Sequence, residues 1–223
     1  MSHTPHLSAI VEEQIKLWQG LHTKQEASSP IITVSREYGT SGSAISSKLA
    51  KKMNFSLWDQ NLVNAIAESS GLSAQFLRAL DEHARSTIED LIAGLLMGRE
   101  ATEKAYISQL YRIVRTIENK GNGVIVGRGA QFIVDATKAL RVRITALFEQ
   151  RTQWIAERHK LDPRAAEKKV RSIDKDREEF NKLYFYKDAK EPTYYDLTIN
   201  VSTLPMDHAV EVIRTAYREK FAL

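Results

Sequence analysis

The sequence contains no cysteine among its 223 residues, so disulfide bonds, cysteine-ligated zinc, iron–sulfur clusters and thiol catalysis are excluded. No apolar run approaches the ~18 residues that a membrane-spanning helix needs, so we expect no membrane partner. Residues 1–6 lack the basic and apolar regions that are typical of a signal peptide, so we expect a cytoplasmic protein. The six histidines show no metal-ligand spacing.

What the chain does contain is apolar material for one sizeable core, since 43% of its residues are hydrophobic. The formal net charge of +4 is mildly basic and suits an anionic partner such as a nucleotide or a phosphorylated metabolite. Nucleic acid is not the expected partner, because the charge is modest and no motif of stacking aromatics accompanies it.

Short apolar runs alternate with segments of helical periodicity along most of the chain. Runs without regular polar alternation are typical of buried parallel strands. The clearest such run is residues 31–34, and the other short strand candidates lie at residues 55–59, 124–127, 140–147 and 197–201. Strands that alternate with helices predict a doubly wound α/β fold, with about five short strands in one parallel sheet.

The chain divides into a short N-terminal part and one larger domain. Residues 1–29 contain an amphipathic helix and a linker, and this helix is either a packing appendage or an element of a homodimer. Residues 30–223 are predicted to form a single domain. Within it, a helical region spans about 60–120 and a charge-rich helical excursion spans about 150–190.

The first predicted strand leads through small residues into a helix, which is the layout of a phosphate-binding βα unit. Free backbone N–H groups and the helix dipole attract phosphate there. The candidate phosphate-binding residues are Arg36, Gly39, Thr40, Ser41, Gly42 and Ser43. The alternative is a glycine-containing turn that only joins strand and helix.

This loop departs from the phosphate-loop motif G-x-x-x-x-G-K-[ST] at three positions, and Arg36 and Ser41 stand where the motif has its two glycines. Gly42 stands at the lysine position, whereas Ser43 keeps the position of the magnesium-binding hydroxyl. The lysine normally bridges the transferred phosphoryl group. Either Arg36 folds back over the phosphates, or an arginine from a lid replaces the lysine.

Several strings, taken in order, resemble the cytidylate kinase-like family, whose members are relatives of the nucleoside monophosphate kinases and also lack this lysine. The strings lie at residues 32–39, 58–59, 66–71, 124–130, 174–177 and 195–200. The resemblance covers about residues 30–216. It implies a three-layer fold of the P-loop kinase type, in which about 60–120 binds the acceptor and about 150–190 forms a helical lid. Relatives often have Gly-Gly-Arg-Glu where this chain has residues 41–44, so a basic residue is absent here.

The resemblance also implies roles for individual side chains. Arg128 and Arg177 would be catalytic and would hold the phosphate of the acceptor nucleotide, while Asp174 would hold its ribose hydroxyls. The alternatives are a surface arginine at position 128 and a solvated ion pair between Asp174 and Arg177. Arg171 and Lys175 belong to the same basic lid.

Two further side chains are candidate site residues, and each has a structural role as its alternative. Arg151 lies at the start of the helix that follows residues 140–147, and it would reach the phosphates or base of ATP. The alternative is that Arg151 is a solvated charge on that helix. Asp59 would orient the acceptor or a metal-bound water; otherwise it is the N-cap of the helix that begins near Gln60.

The function that the resemblance implies is phosphoryl transfer from ATP, with Mg²⁺, to a nucleoside monophosphate. CMP or dCMP is the first expectation for the acceptor. The alternatives are a kinase for another small molecule, and a nucleotide-binding protein that lacks catalysis because it lacks the lysine.

Overall fold

The structure, a computed structural model, describes residues 29–68, 88, 89, 92 and 101–223. The strands are β1 (Ile31–Arg36), β2 (Ser56–Trp58), β3 (Gly123–Val126), β4 (Ala139–Thr145) and β5 (Leu197–Asn200). The α-helices are α1 (Gly42–Met53), α2 (Gln60–Glu68), α3 (Ala101–Lys120), α4 (Phe148–His159), α5 (Pro163–Phe185) and α6 (Met206–Phe221). The predicted N-terminal helix and most of residues 69–100 lie outside the described residues. No helix within the described ranges has the length and hydropathy to cross a membrane.

The five strands form one parallel sheet in the order β2-β3-β1-β4-β5. The central strand β1 pairs with β3 on one side and β4 on the other, and Val34 is in register with both Val126 and Val142. The prediction of about five strands in a parallel α/β sheet is therefore confirmed. Because parallel strands share their direction, the loops that follow β1, β3 and β4 emerge at one edge of the sheet.

Both faces of the sheet are covered, which makes three layers. Along β1, Ile31 packs on the side of α3, whereas Ile32 and Val34 pack on the side of α1 and α6. In β3, Ile125 and its neighbour Val124 divide in the same way. Burial on both faces is the physical reason that residues 31–34 of β1 and the whole of β3 read as nearly continuous apolar runs, whereas β4 and β5 alternate apolar with polar residues.

An ion-pair cluster at Asp196 joins β4, β5 and α6. Its carboxylate accepts hydrogen bonds from Arg141 Nη2 at 2.8 Å and from Lys220 Nζ at 2.7 Å. Partial burial of the carboxylate opposes its ionisation, but these hydrogen bonds outweigh burial and lower the pKa of Asp196 to about 2. The charged form therefore stabilises the folded chain.

We expect this contribution to be present above about pH 4 and to be lost as the pH falls toward 2, because the folded pKa lies below the unfolded value. The Asp196→Asn variant should lose roughly 1 kcal/mol at pH 7, since water still screens the partly exposed pair. Urea unfolding of both proteins between pH 7 and pH 2 checks this. Parallel pH profiles for the two proteins would contradict it.

Candidate functional site

A cavity of about 610 Å³ opens at the carboxyl edge of the sheet. We call it the arginine cavity, because six arginines contribute to its lining. Five of them are at least partly buried, namely Arg36, Arg128, Arg143, Arg151 and Arg177, and the sixth, Arg171, is exposed. They come from β1, the loop after β3, β4, α4 and α5, so only the folded chain brings them together.

Two of these arginines are neutralised by carboxylates. Arg143 Nη2 donates to Glu37 at 3.2 Å, and Arg151 pairs with both Asp174 and Glu37. Arg151 is only 6% exposed, so its alternative as a solvated helix charge is wrong. Its burial is tolerated because two carboxylates surround it and because Nη1 also donates to the Tyr38 carbonyl at 2.9 Å.

Three arginines of the cavity have no carboxylate in salt-bridge contact within the part of the chain that the structure describes. Arg36 Nη2 donates to Gln60 Oε1 at 3.3 Å, and Arg177 Nη1 donates to the Arg36 carbonyl at 2.8 Å. The Arg128 guanidinium lies over the Phe180 ring, 4.8 Å from its centroid. We call Arg36, Arg128 and Arg177 the arginine triad.

The triad concentrates positive charge in a site partly shielded from water. Burial, together with the charges of Arg177 and Arg128, lowers the pKa of Arg36 to about 9. Burial is also the main reason that the pKa of Arg177 is lowered. The Nε atoms of Arg36 and Arg128 are buried without a hydrogen-bond partner among the described residues. An anion with several oxygens would relieve the repulsion and accept these hydrogen bonds.

The loop after β3 leaves room for the Arg36 side chain and carries Arg128 of the arginine triad. Gly127 has φ +81°, and a Cβ there would overlap the Arg36 guanidinium. Gly129 has φ +64°, and a Cβ there would overlap the Phe185 ring. Arg128 itself adopts a left-handed φ of 54°, which is uncommon for a residue with a side chain. The two glycines therefore turn the chain so that Arg128 faces the cavity.

The loop between β1 and α1 is held by helix α5 and by its own side chains. The backbone N–H of Tyr38 donates to Asp174 Oδ1 at 2.8 Å, and Thr40 Oγ1 donates to the Glu37 carbonyl at 2.8 Å. Gly39 and Gly42 pack closely, against Arg151 and Arg36 respectively. Arg36 does not fold back over the loop; its guanidinium lies beside Gly127 and forms the triad.

A second cavity of about 640 Å³ lies on the other side of this loop. We call it the tryptophan cavity, because Trp154 of α4 lines it together with residues 201–206 and the loop residues Thr40 and Ser41. Arg158 also lines it, and Arg158 Nη2 donates to Ser41 Oγ at 2.9 Å. Sequence reasoning missed Arg158, although it stands seven residues after Arg151 and therefore on the same face of α4.

Comparison with known proteins agrees with this geometry. The sequence profile of the cytidylate kinase-like family matches residues 31–203. The chain belongs to this family. Membership in the cytidylate kinase-like family supports a nucleotide-dependent, kinase-like function, that is, a nucleotide-binding transferase. No curated protein matches the sequence.

The comparison with solved structures gives two matches to the cytidylate kinase-like chain. An uncharacterized protein from Eubacterium ventriosum is 20% identical, with a TM-score of 0.69, and the match covers 86% of this chain and 99% of that one. Shikimate kinase from Bacteroides thetaiotaomicron is 13% identical, with a TM-score of 0.44, over 87% of this chain and 99% of that one. The first match, together with the family, confirms the predicted α/β fold of the P-loop kinase type.

Other predicted site residues of this cytidylate kinase-like chain have structural partners. The N–H groups of Asn61 and Leu62 donate to Asp59 Oδ1 at 2.9 and 3.0 Å, so Asp59 is the N-cap of α2. Asp174 binds Tyr38 and Arg151 rather than Arg177, so a solvated pair between Asp174 and Arg177 is wrong within the described contacts.

The remaining candidates are exposed side chains on helices, and two of them, Arg171 and Lys175, also line the arginine cavity. Arg171 pairs with Glu167 at 2.9 Å, and Lys175 lies 3.5 Å from Glu179. Ser43 is exposed in the first turn of α1 and is not among the residues that line the two cavities. Among residues 29–68, 88, 89, 92 and 101–223, no group of three or more acidic or histidine side chains is placed to hold a metal ion.

Proposed function

We propose that the chain transfers the γ-phosphoryl group of ATP to a nucleoside monophosphate, with CMP or dCMP as the expected acceptor. The observation that supports this most directly is the arginine triad. Three guanidinium groups that have no carboxylate partner among the described residues converge in a cavity at the carboxyl edge of a parallel sheet, where α/β proteins bind their ligands. Phosphoryl transfer needs little else than positioned substrates and positive charge around the transferred group.

The triad suits the acceptor phosphate and the transferred group together. Arg128 offers a planar fork for two phosphate oxygens, and Arg36 and Arg177 approach from β1 and α5. Since the three side chains come from separate elements, they surround an anion rather than face it from one side. The negative charge that spreads over the phosphoryl oxygens during transfer is stabilised by all three.

The tryptophan cavity suits the nucleoside of ATP. It lies next to Thr40 and Ser41, so a triphosphate that starts there passes the loop and ends in the arginine cavity. Mg²⁺ would be held by the phosphate oxygens and by Ser43, since this ion keeps several waters and needs few protein ligands. The ion would supply charge neutralisation between the phosphates.

The experiment that tests this function is ADP formation from Mg-ATP with each common nucleoside monophosphate in turn, with no acceptor as the blank. We expect ADP formation well above the blank with one pyrimidine monophosphate. Activity only with other small molecules would support the second kinase hypothesis. ATP binding without ADP formation from any acceptor would favour a nucleotide-binding protein without catalysis. The glycine at the lysine position is the observation behind this alternative.

Nucleotides are the proposed partners, rather than nucleic acid or a membrane. A homodimer formed through residues 1–29 stays a prediction, since those residues lie outside the described part of the chain, apart from residue 29. The cytoplasmic location stays a prediction as well.

The Gly127→Ala variant tests whether Arg36 must reach the triad. The added Cβ should displace the Arg36 guanidinium and lower kcat/KM roughly 10-fold, the effect of one weakened charged hydrogen bond. Because residue 127 has a left-handed backbone conformation, alanine at this position should also lower the free energy of unfolding by about 1 kcal/mol.

Gly121→Ala is the matched control for this variant. Gly121 also has a positive φ, 72°, but it precedes β3 at the strand's other end. It should therefore show the stability loss without the loss of activity. Equal activity losses in both variants would refute the role of Gly127.

A further inference from the structure

The position of the missing lysine has no room for a side chain. A Cβ on Gly42 would lie 2.7 Å from Arg36 Cβ and 3.0 Å from Arg36 Cγ, and neither atom belongs to the flexible end of that side chain. The space that the lysine stem occupies in the usual motif is thus filled by the stem of Arg36. A cation for the phosphates of the donor has to come from another part of the chain.

Two nearby arginines do not meet this need. The guanidinium of Arg36 lies beside Gly127, away from the loop, and donates to Gln60. Arg151 touches the loop, but its charge is balanced by Glu37 and Asp174. A phosphate bound by Arg151 would have to compete with both carboxylates.

Arg158 does meet the need. Its Nη2 donates to Ser41 Oγ at 2.9 Å, directly where the loop enters α1. Ser41 has a left-handed φ of 56° and its side chain does not cap α1, so the hydroxyl is turned outward to the guanidinium. Arg158 is exposed, and no described carboxylate forms an ion pair with it; its neighbour Glu157 accepts a hydrogen bond from Gln153. Arg158 and Ser41 both line the tryptophan cavity.

We propose that Arg158 binds the triphosphate chain of the nucleotide donor in place of the missing lysine. This inference rests on the proposed function. When the donor is absent, Ser41 is a positioning residue that holds the guanidinium at the loop. When the donor binds, phosphate oxygens accept the guanidinium N–H groups, which form stronger hydrogen bonds with an anion than with a hydroxyl. The fork of Arg158 spans two oxygens, so a lysine is only a partial substitute.

The test is isothermal titration of Mg-ATP and, separately, of inorganic phosphate into the full chain and three variants. Arg158→Ala should weaken Mg-ATP binding roughly 10-fold to 100-fold, the range of a charged hydrogen bond. It should leave phosphate binding unchanged, because the arginine triad binds that ion. Arg158→Lys should recover part of the affinity for Mg-ATP. Arg164→Ala, which removes an exposed arginine at the start of α5, should bind both ligands as the wild type does.

The outcomes separate this inference from the proposed function. Unchanged Mg-ATP affinity in Arg158→Ala overturns the inference and leaves the proposed function standing. Equal weakening of Mg-ATP and phosphate also overturns it, because it indicates only a general loss of positive potential. A wild-type chain that does not bind Mg-ATP overturns the inference and the proposed function together.

Discussion

Replacing Arg128 by alanine is expected to lower kcat/KM roughly 10³-fold, the lower end of what a phosphate-binding arginine contributes to phosphoryl transfer. The lower end applies because Arg36 and Arg177 remain in the cavity. The fold should be unaffected, since Arg128 is in no salt bridge among the described residues and its main contact is the Phe180 ring. Steady-state kinetics with the acceptor found in the ADP assay measures the effect.

The pattern of the kinetic constants makes this prediction specific. Arg128→Ala should raise KM for the acceptor and lower kcat, whereas KM for Mg-ATP should change little. Arg164→Ala is the matched control, because it removes the same charge from an exposed position. Turnover of Arg128→Ala at the wild-type level would show that the arginine triad is not the site of transfer.

Replacing Arg36 by methionine is expected to change stability and activity in opposite directions. Burial and the charges of Arg177 and Arg128 lower the pKa of Arg36, so its charged form destabilises the ligand-free fold. Methionine keeps the apolar stem that packs against Gly42. We expect the free energy of unfolding to rise by roughly 2 kcal/mol and kcat/KM to fall about 10²-fold.

Urea unfolding with and without inorganic phosphate measures the stability effect. Phosphate should stabilise the wild type more than Arg36→Met, because the variant lacks one of the three cations that bind the ion. The difference in stability between the two proteins should therefore shrink as phosphate is added. A variant less stable than the wild type in phosphate-free buffer would contradict this account.

The strands of the sheet were predictable from the sequence because the apolar residues that identify each strand lie within a few consecutive positions. Each strand overlaps one of the predicted runs, and burial on both faces of the sheet leaves little polar alternation in β1 and β3. The position of the β1–α1 loop was predictable for the same reason, since glycine and small polar residues between a strand and a helix are typical of a turn. Arg128 stood out because two glycines flank it.

The partners of the charged side chains were not predictable in this way. Arg36 was expected at the loop, but its guanidinium lies beside Gly127, about 90 residues further along the chain. Asp59 had two equally good interpretations, and only the N–H groups of α2 decide for the N-cap. Arg158 has no local signal apart from its helical spacing, because its contact with Ser41 depends on how α4 packs.

Because Gly42 packs closely against the stem of Arg36, the side chain that fits at either position depends on the side chain at the other. Adding a lysine at 42 alone creates a steric clash, and trimming Arg36 alone removes one cation without supplying another. The effects of the two changes are therefore strongly non-additive. A lysine at position 42 is therefore expected to fit only in a chain whose residue 36 has a smaller side chain than arginine.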